Sequence, residues 1–117
     1  MSTEQITMDE VHARREECKA LIAMNEAMVR LHNNADFKAV FLTGYAKDES
    51  IRLVHLLGDT NLNARDNADV VCKDIHNRMI GIAKFVEYCR YVELMGDRAK
   101  HQLESLDTAL ETQANLQ

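Results

Sequence analysis

One stretch of this chain limits what the rest can build: from Ala64 to about Glu111 an apolar residue returns every three or four positions, and no proline interrupts the run. Ala68, Cys72, Ile75, Met79, Ile82, Val86 and Cys89 alternate steps of four and three. The stripe resumes as Val92, Met95, Ala99, Leu103, Leu106 and Leu110. That spacing predicts a single long amphipathic helix. In a protein of 117 residues such a helix buries its stripe only if other helices lie along it.

Two shorter helices precede it. The first is expected from Met8 or Asp9 to Leu31 or His32, with Thr7 as its cap and Leu21, Met24, Met28 and Leu31 as its stripe. Its first half is far more polar, with His12, Arg14, Arg15, Glu16 and Glu17 around Val11 and Cys18, so this end needs a partner or frays. Asn33-Asn34-Ala35-Asp36 interrupts the helix, because Asn and Asp offer the backbone competing local hydrogen bonds. The second helix is expected over about 35–57, with Phe37, Val40, Phe41, Gly44, Ile51, Val54 and Leu57 on one side. Gly58 is expected as a left-handed stop and Asp59–Asn63 as the turn, with Asn63 capping the third helix and Asp66 in its first turn. Pairs four apart, Asp48 with Arg52, Asp69 with Lys73 and Asp74 with Arg78, fit exposed helical faces.

The sequence thus predicts an all-α fold and a single helical domain over 1–117. It is an elongated antiparallel helical hairpin, coiled-coil-like, in which one long C-terminal helix (about 64–111) is packed by two shorter ones (about 8–32 and 35–57). At about 1.5 Å per residue, the third helix is roughly as long as the first two end to end. Helix 2 then pairs with the first half of helix 3, and helix 1 with the second half. In that register Gly44 faces Gly81 and lets the backbones approach closely. Phe37 and Phe41 fall against Phe85 and Tyr88, with Tyr45 and Tyr91 adjoining.

Between Val86 and Met95 the stripe contracts to steps of three, a stammer that turns it around the helix. Two apolar faces overlap there, and a hairpin covers only one. Phe85, Tyr88, Val92 and Met95 are therefore the candidate interaction surface, and self-association is the expected completion.

Composition excludes several classes. The chain has no Pro, no Trp and only four Gly, a balance that favours helix throughout. Its net charge of −5, from 14 basic and 19 acidic residues mixed along the chain, gives no footprint for nucleic acid and no attraction to anionic lipid. Cys18, Cys72 and Cys89 read as small core residues of a protein from a reducing compartment. Met1-Ser2-Thr3-Glu4-Gln5 shows no basic segment leading into an apolar run, and nothing approaches the roughly 18 uncharged residues of a membrane span. The expectation is a protein neither secreted by a recognisable signal nor anchored in a membrane.

Catalytic and metal chemistry find little to stand on. Cys72 and His76 are one helical turn apart and His55 approaches from helix 2, but structural zinc takes four ligands, and Cys72 sits in the seam. Di-iron bundles need inward glutamates with Glu-x-x-His on two helices, which this chain lacks. Glycines 44, 58, 81 and 96 are isolated, so no phosphate-cradling loop forms. No enzyme activity, catalytic residue, metal, cofactor or small-molecule substrate is expected.

Asn34-Ala35-Asp36-Phe37-Lys38, Gly44-Tyr45, Glu49, Arg52-Leu53-Val54, Gly81-Ile82, Phe85, Tyr88, Gly96 and Ala99 resemble a group of small, mostly unassigned helical proteins of tailed bacteriophages. The likeness covers roughly residues 21–104, and Ala35 stands where that group often has proline, which implies a softer bend between the first two helices. The resemblance implies a non-enzymatic virion or assembly protein, made in the host cytoplasm, that binds itself and a larger virion protein. The alternative it leaves is a small phage regulator or inhibitor that binds a host protein.

Overall fold

The computed structural model describes residues 7–116, and every described regular element is helical. The stretch Met1–Gln5, read above for a leader, lies outside the described residues. Helix α1 (Met8–His32) begins on Thr7, whose hydroxyl accepts from the backbone N–H of Glu10 at 3.2 Å. Asp9 and Glu10 in its first turn and Arg30 and His32 in its last complement the helix dipole. It stops where the sequence offers a better local partner. Asn34 adopts extended backbone and its side chain accepts from Phe37 N–H at 2.9 Å, which starts α2 (Ala35–Phe37).

The expected uniform α-helix over 35–57 is not what forms. After α2 the backbone widens into a π-helix, π1 (Lys38–Glu49), before α3 (Ser50–Leu57) resumes the ordinary turn. Dihedrals at both junctions remain right-handed helical, so the chain continues without a break. A reason lies in the spacing of Phe37, Phe41, Tyr45, Glu49 and Leu53, which follow one another at steps of four. In a pure α-helix a step of four overshoots the turn by about 40°, and four such steps wind about 160° around the axis. A π-turn, bonded from i to i+5, holds more than four residues and drifts the other way. The mixed helix therefore keeps the ladder aimed at one neighbour.

The turn also differs from expectation. Gly58 is not left-handed: its φ is −91° and ψ 1°, and the helix ends on tight bonds from Gly58 N–H to His55 O (3.2 Å) and Asp59 N–H to Leu56 O (3.1 Å). Asp59 then caps a one-turn helix, α4 (Thr60–Asn63), by accepting from Asn61 N–H at 2.8 Å. Asn63 does not cap the long helix. Its amide donates instead to Leu57 O (3.0 Å) and Asp59 O (2.9 Å), tying the turn to the end of α3. Helix α5 consequently starts late, at Ala68, and runs unbroken through Gly96 to Asn115, with Asp69 rather than Asp66 in its first turn.

The described residues group into two compact units: those up to Val29 with those from Tyr91 on, and Arg30–Arg90. In the first, α1 lies against α5 through narrow side chains. Cys18 and Ala99 are each 2% exposed, Gly96 is buried, and the amide of Asn25 donates to Glu93 O at 3.4 Å. The polar start of α1 has a partner here, since Arg15 Nε meets Asp107 Oδ1 at 2.9 Å. The Arg30–Arg90 unit closes around Leu53, Leu62, Ile75 and Ile82, with Leu56, Leu57, Val71, Cys72 and Met79 packed against them. Leu62 in α4 thus adds the turn to the core.

The expected Gly44–Gly81 approach is absent. A Cβ on Gly81 has only Tyr45 Oη near it, at 3.8 Å, and one on Gly44 meets only Ala39 of its own helix. The wider turn of π1 shifts the phase of the residues within it as well as after it, which brings Tyr45 to Gly81. The glycine that does permit a close approach is Gly96, where an added Cβ would lie 2.7 Å from Asn25 Cγ.

Candidate functional site

The stammer residues do not make a common open face. Phe85 is half-buried and packs on Phe41 (ring centroids 6.0 Å) and Tyr45 (5.6 Å); Phe41 stacks in turn on Phe37 at 5.2 Å. Val92 is 6% exposed, so it belongs to the interior of its own unit, and Met95 is half-buried. Tyr88, 53% exposed, alone keeps the accessibility expected of the four. The shortened spacing carries Val92 inward because Cys89, Val92, Gly96 and Ala99 still fall on the buried side of α5.

A different site emerges where π1 and α3 face α5 within the Arg30–Arg90 unit. The step-four ladder brings Tyr45, Glu49 and Leu53 to one side of a cleft of about 450 Å³, and α5 supplies Arg78, Gly81 and Ile82. Arg52 completes the wall. Leu53 and Ile82 are 0% and 4% exposed and form an apolar floor, while the polar groups stand at the rim.

The electrostatics centre on Glu49. Arg52 Nε donates to both carboxylate oxygens, at 3.0 and 3.2 Å, and Arg52 Nη2 also donates to Oε1. These hydrogen bonds hold the Glu49 carboxyl below its usual value; desolvation opposes them, and the charges of Arg52 and then Arg78 add smaller contributions in the lowering direction. The same pairing raises Arg52. Arg52 therefore takes Glu49, three residues back, and not the expected Asp48. Both carboxylates lie in the last turn of π1, and the guanidinium reaches the one three residues back. Across the cleft Arg78 Nε pairs with Asp74 Oδ2 at 3.0 Å, as expected, whereas Asp69 and Lys73 form no ion pair among the described residues.

On the far side of the same helices Ala46, Ser50, Met79, Ile82, Ala83 and Val86 line a second hollow of about 350 Å³, with Ser50 Oγ donating back to Ala46 O at 2.9 Å. Sequence reasoning misses the cleft because it places Arg52 and Arg78 in four-apart pairs on exposed helix faces and gives Glu49 no partner. The signal that finds it is the period of four, which no α-helix sustains on one side.

Of the residues weighed for metal binding, His76 Nδ1 lies 2.9 Å from Cys72 O, and the Cys72 thiol is 3.8 Å from Asn63 Oδ1. Among the described residues no group of three or more His, Cys, Asp or Glu is arranged to hold a metal ion, and no helix is long and apolar enough to cross a membrane. Comparison with family models, curated protein sequences and solved structures returns no match for this chain.

Proposed function

We propose that this is a non-enzymatic phage structural or virion-assembly protein that works by helix-mediated self-association and by docking on a larger virion protein. The observation that carries the reading is on α3. Ile51 and Val54 are 47% and 50% exposed, lie one helical turn apart, and with Ser50 and His55 surround an apolar hollow of about 260 Å³. Adjacent half-exposed aliphatic side chains around a concavity are the kind of surface that contacts a partner, while singly scattered ones carry no such meaning.

Val40 and Val70, at 60% and 70% exposure, are further exposed aliphatic side chains of the same unit. The phage assignment rests on the resemblance in the sequence, and the mode of action on these helix faces. Sedimentation across a micromolar dilution series tests self-association, with Ile51→Glu and Val54→Glu as exposed variants that leave the core intact. A mass above the monomer that both substitutions reduce supports the reading. A monomer at every concentration, or a mass that neither substitution changes, refutes it. Mass spectrometry of purified particles tests the assembly role: a defined copy number supports a virion part, and absence favours the host-directed regulator.

A further inference from the structure

The cleft beside π1 holds more hydrogen-bonding capacity than its own residues use. A guanidinium has five N–H donors. Arg52 directs its Nε and Nη2 at Glu49, and Arg78 directs its Nε at Asp74, so both retain donors. Each guanidinium is matched by one carboxylate, Arg52 by Glu49 and Arg78 by Asp74, so what the cleft offers is unused N–H donors. Beneath them Leu53 and Ile82 provide a dry floor, and Gly81 offers no side chain to cover it. The hydroxyl of Tyr45 stands over that glycine. The wall itself is a 12-residue π-helix, a conformation that is rare at this length and whose short forms are frequent at functional sites.

We propose that this cleft binds a carboxylate carried on a short apolar stem, with Arg52 and Arg78 holding the two oxygens and Leu53 and Ile82 taking the stem. The planar oxygens of a carboxylate suit a guanidinium fork better than a tetrahedral phosphate does. A volume of about 450 Å³ lies within the range of small-ligand sites. The same chemistry is presented by a free aliphatic acid and by a glutamate side chain on a partner's helix. This site does not depend on the self-association proposed above.

The test is titration of the full isotopically labelled chain, followed by amide chemical shifts. The probes are hexanoate, hexan-1-ol, inorganic phosphate, and a synthetic helical peptide carrying one glutamate among apolar residues, with its glutamine counterpart. Saturable shifts at Tyr45, Glu49, Arg52 and Gly81 are expected with hexanoate or with the glutamate peptide, and whichever binds more tightly identifies the source. Arg78→Gln, on an exposed helix face, should weaken that binding about tenfold or more while circular dichroism stays unchanged. The proposal is overturned if neither carboxylate probe gives saturable shifts, if hexan-1-ol, phosphate or the glutamine peptide matches them, or if Arg78→Gln leaves the affinity as it was.

Discussion

Replacing Gly96 by alanine should destabilise the protein, although alanine is the better helix former. In the helix interior the exchange by itself favours alanine by about 0.8–1.0 kcal/mol. Against this, the new methyl would stand 2.7 Å from Asn25 Cγ and 2.5 Å from Nδ2, with Asn25 Cβ nearer still. Asn25 is 6% exposed and has little room to yield. Overpacking of this kind costs about 1–3 kcal/mol. If the amide swings aside, it also loses its bond to Glu93 O, a further loss of about 0.5–1.5 kcal/mol. With the hydrogen bond lost, the balance is a net loss of about 0.5–3.5 kcal/mol, measurable by denaturant unfolding followed by circular dichroism. Since the nearest obstacle is a Cβ, Asn25→Ala does not relieve it and Asn25→Gly does. In the Asn25→Gly background Gly96→Ala should therefore become stabilising by roughly 0.5–1 kcal/mol. A Gly96→Ala variant as stable as the parent, or one whose cost is equal in both backgrounds, would refute the close approach.

Gly81→Ala should behave oppositely, gaining about 0.5–1 kcal/mol on the same assay, because its Cβ meets only Tyr45 Oη at ordinary contact distance. Leu53→Ala, at the one fully buried large side chain of the Arg30–Arg90 core, should cost about 2–5 kcal/mol in the unfolding midpoint analysis. Glu49 should titrate below the ordinary 4.5 in a carboxyl-carbon pH titration, and Arg52→Gln should return it towards that value. The sign follows from the depressed folded value: the Glu49–Arg52 pair contributes stability above the unfolded pKa and loses it as pH falls through the folded one, so Glu49→Gln should flatten the acid limb of the stability profile.

Much of the secondary structure was legible because it is set by neighbours in the chain. Thr7 and Asn34 sit where a short polar side chain can accept from an N–H three residues on, and both do so. The apolar recurrence from Ala68 to Leu110 belongs to one unbroken helix, since nothing in that run stops helical hydrogen bonding. Gly58 was misread because glycine permits the left-handed conformation without requiring it, and Asp59 offered a cap that restarts the helix at once.

What tertiary structure decided is which side of each helix meets which neighbour. Local pattern alone made Phe85, Tyr88, Val92 and Met95 an open surface, yet packing turned Val92 inward and set Phe85 on Phe41 and Tyr45. The charged residues of the cleft looked solvated because Arg78 is 26 residues from Arg52 in the chain. Only the widened turn of π1 puts Glu49 and Tyr45 on the side facing α5. A helix is chosen by bonds within one turn, and the chain order carries those. Its phase relative to a partner accumulates over every turn before it, so one stretch with more residues per turn moves all later contacts and leaves no mark in local composition.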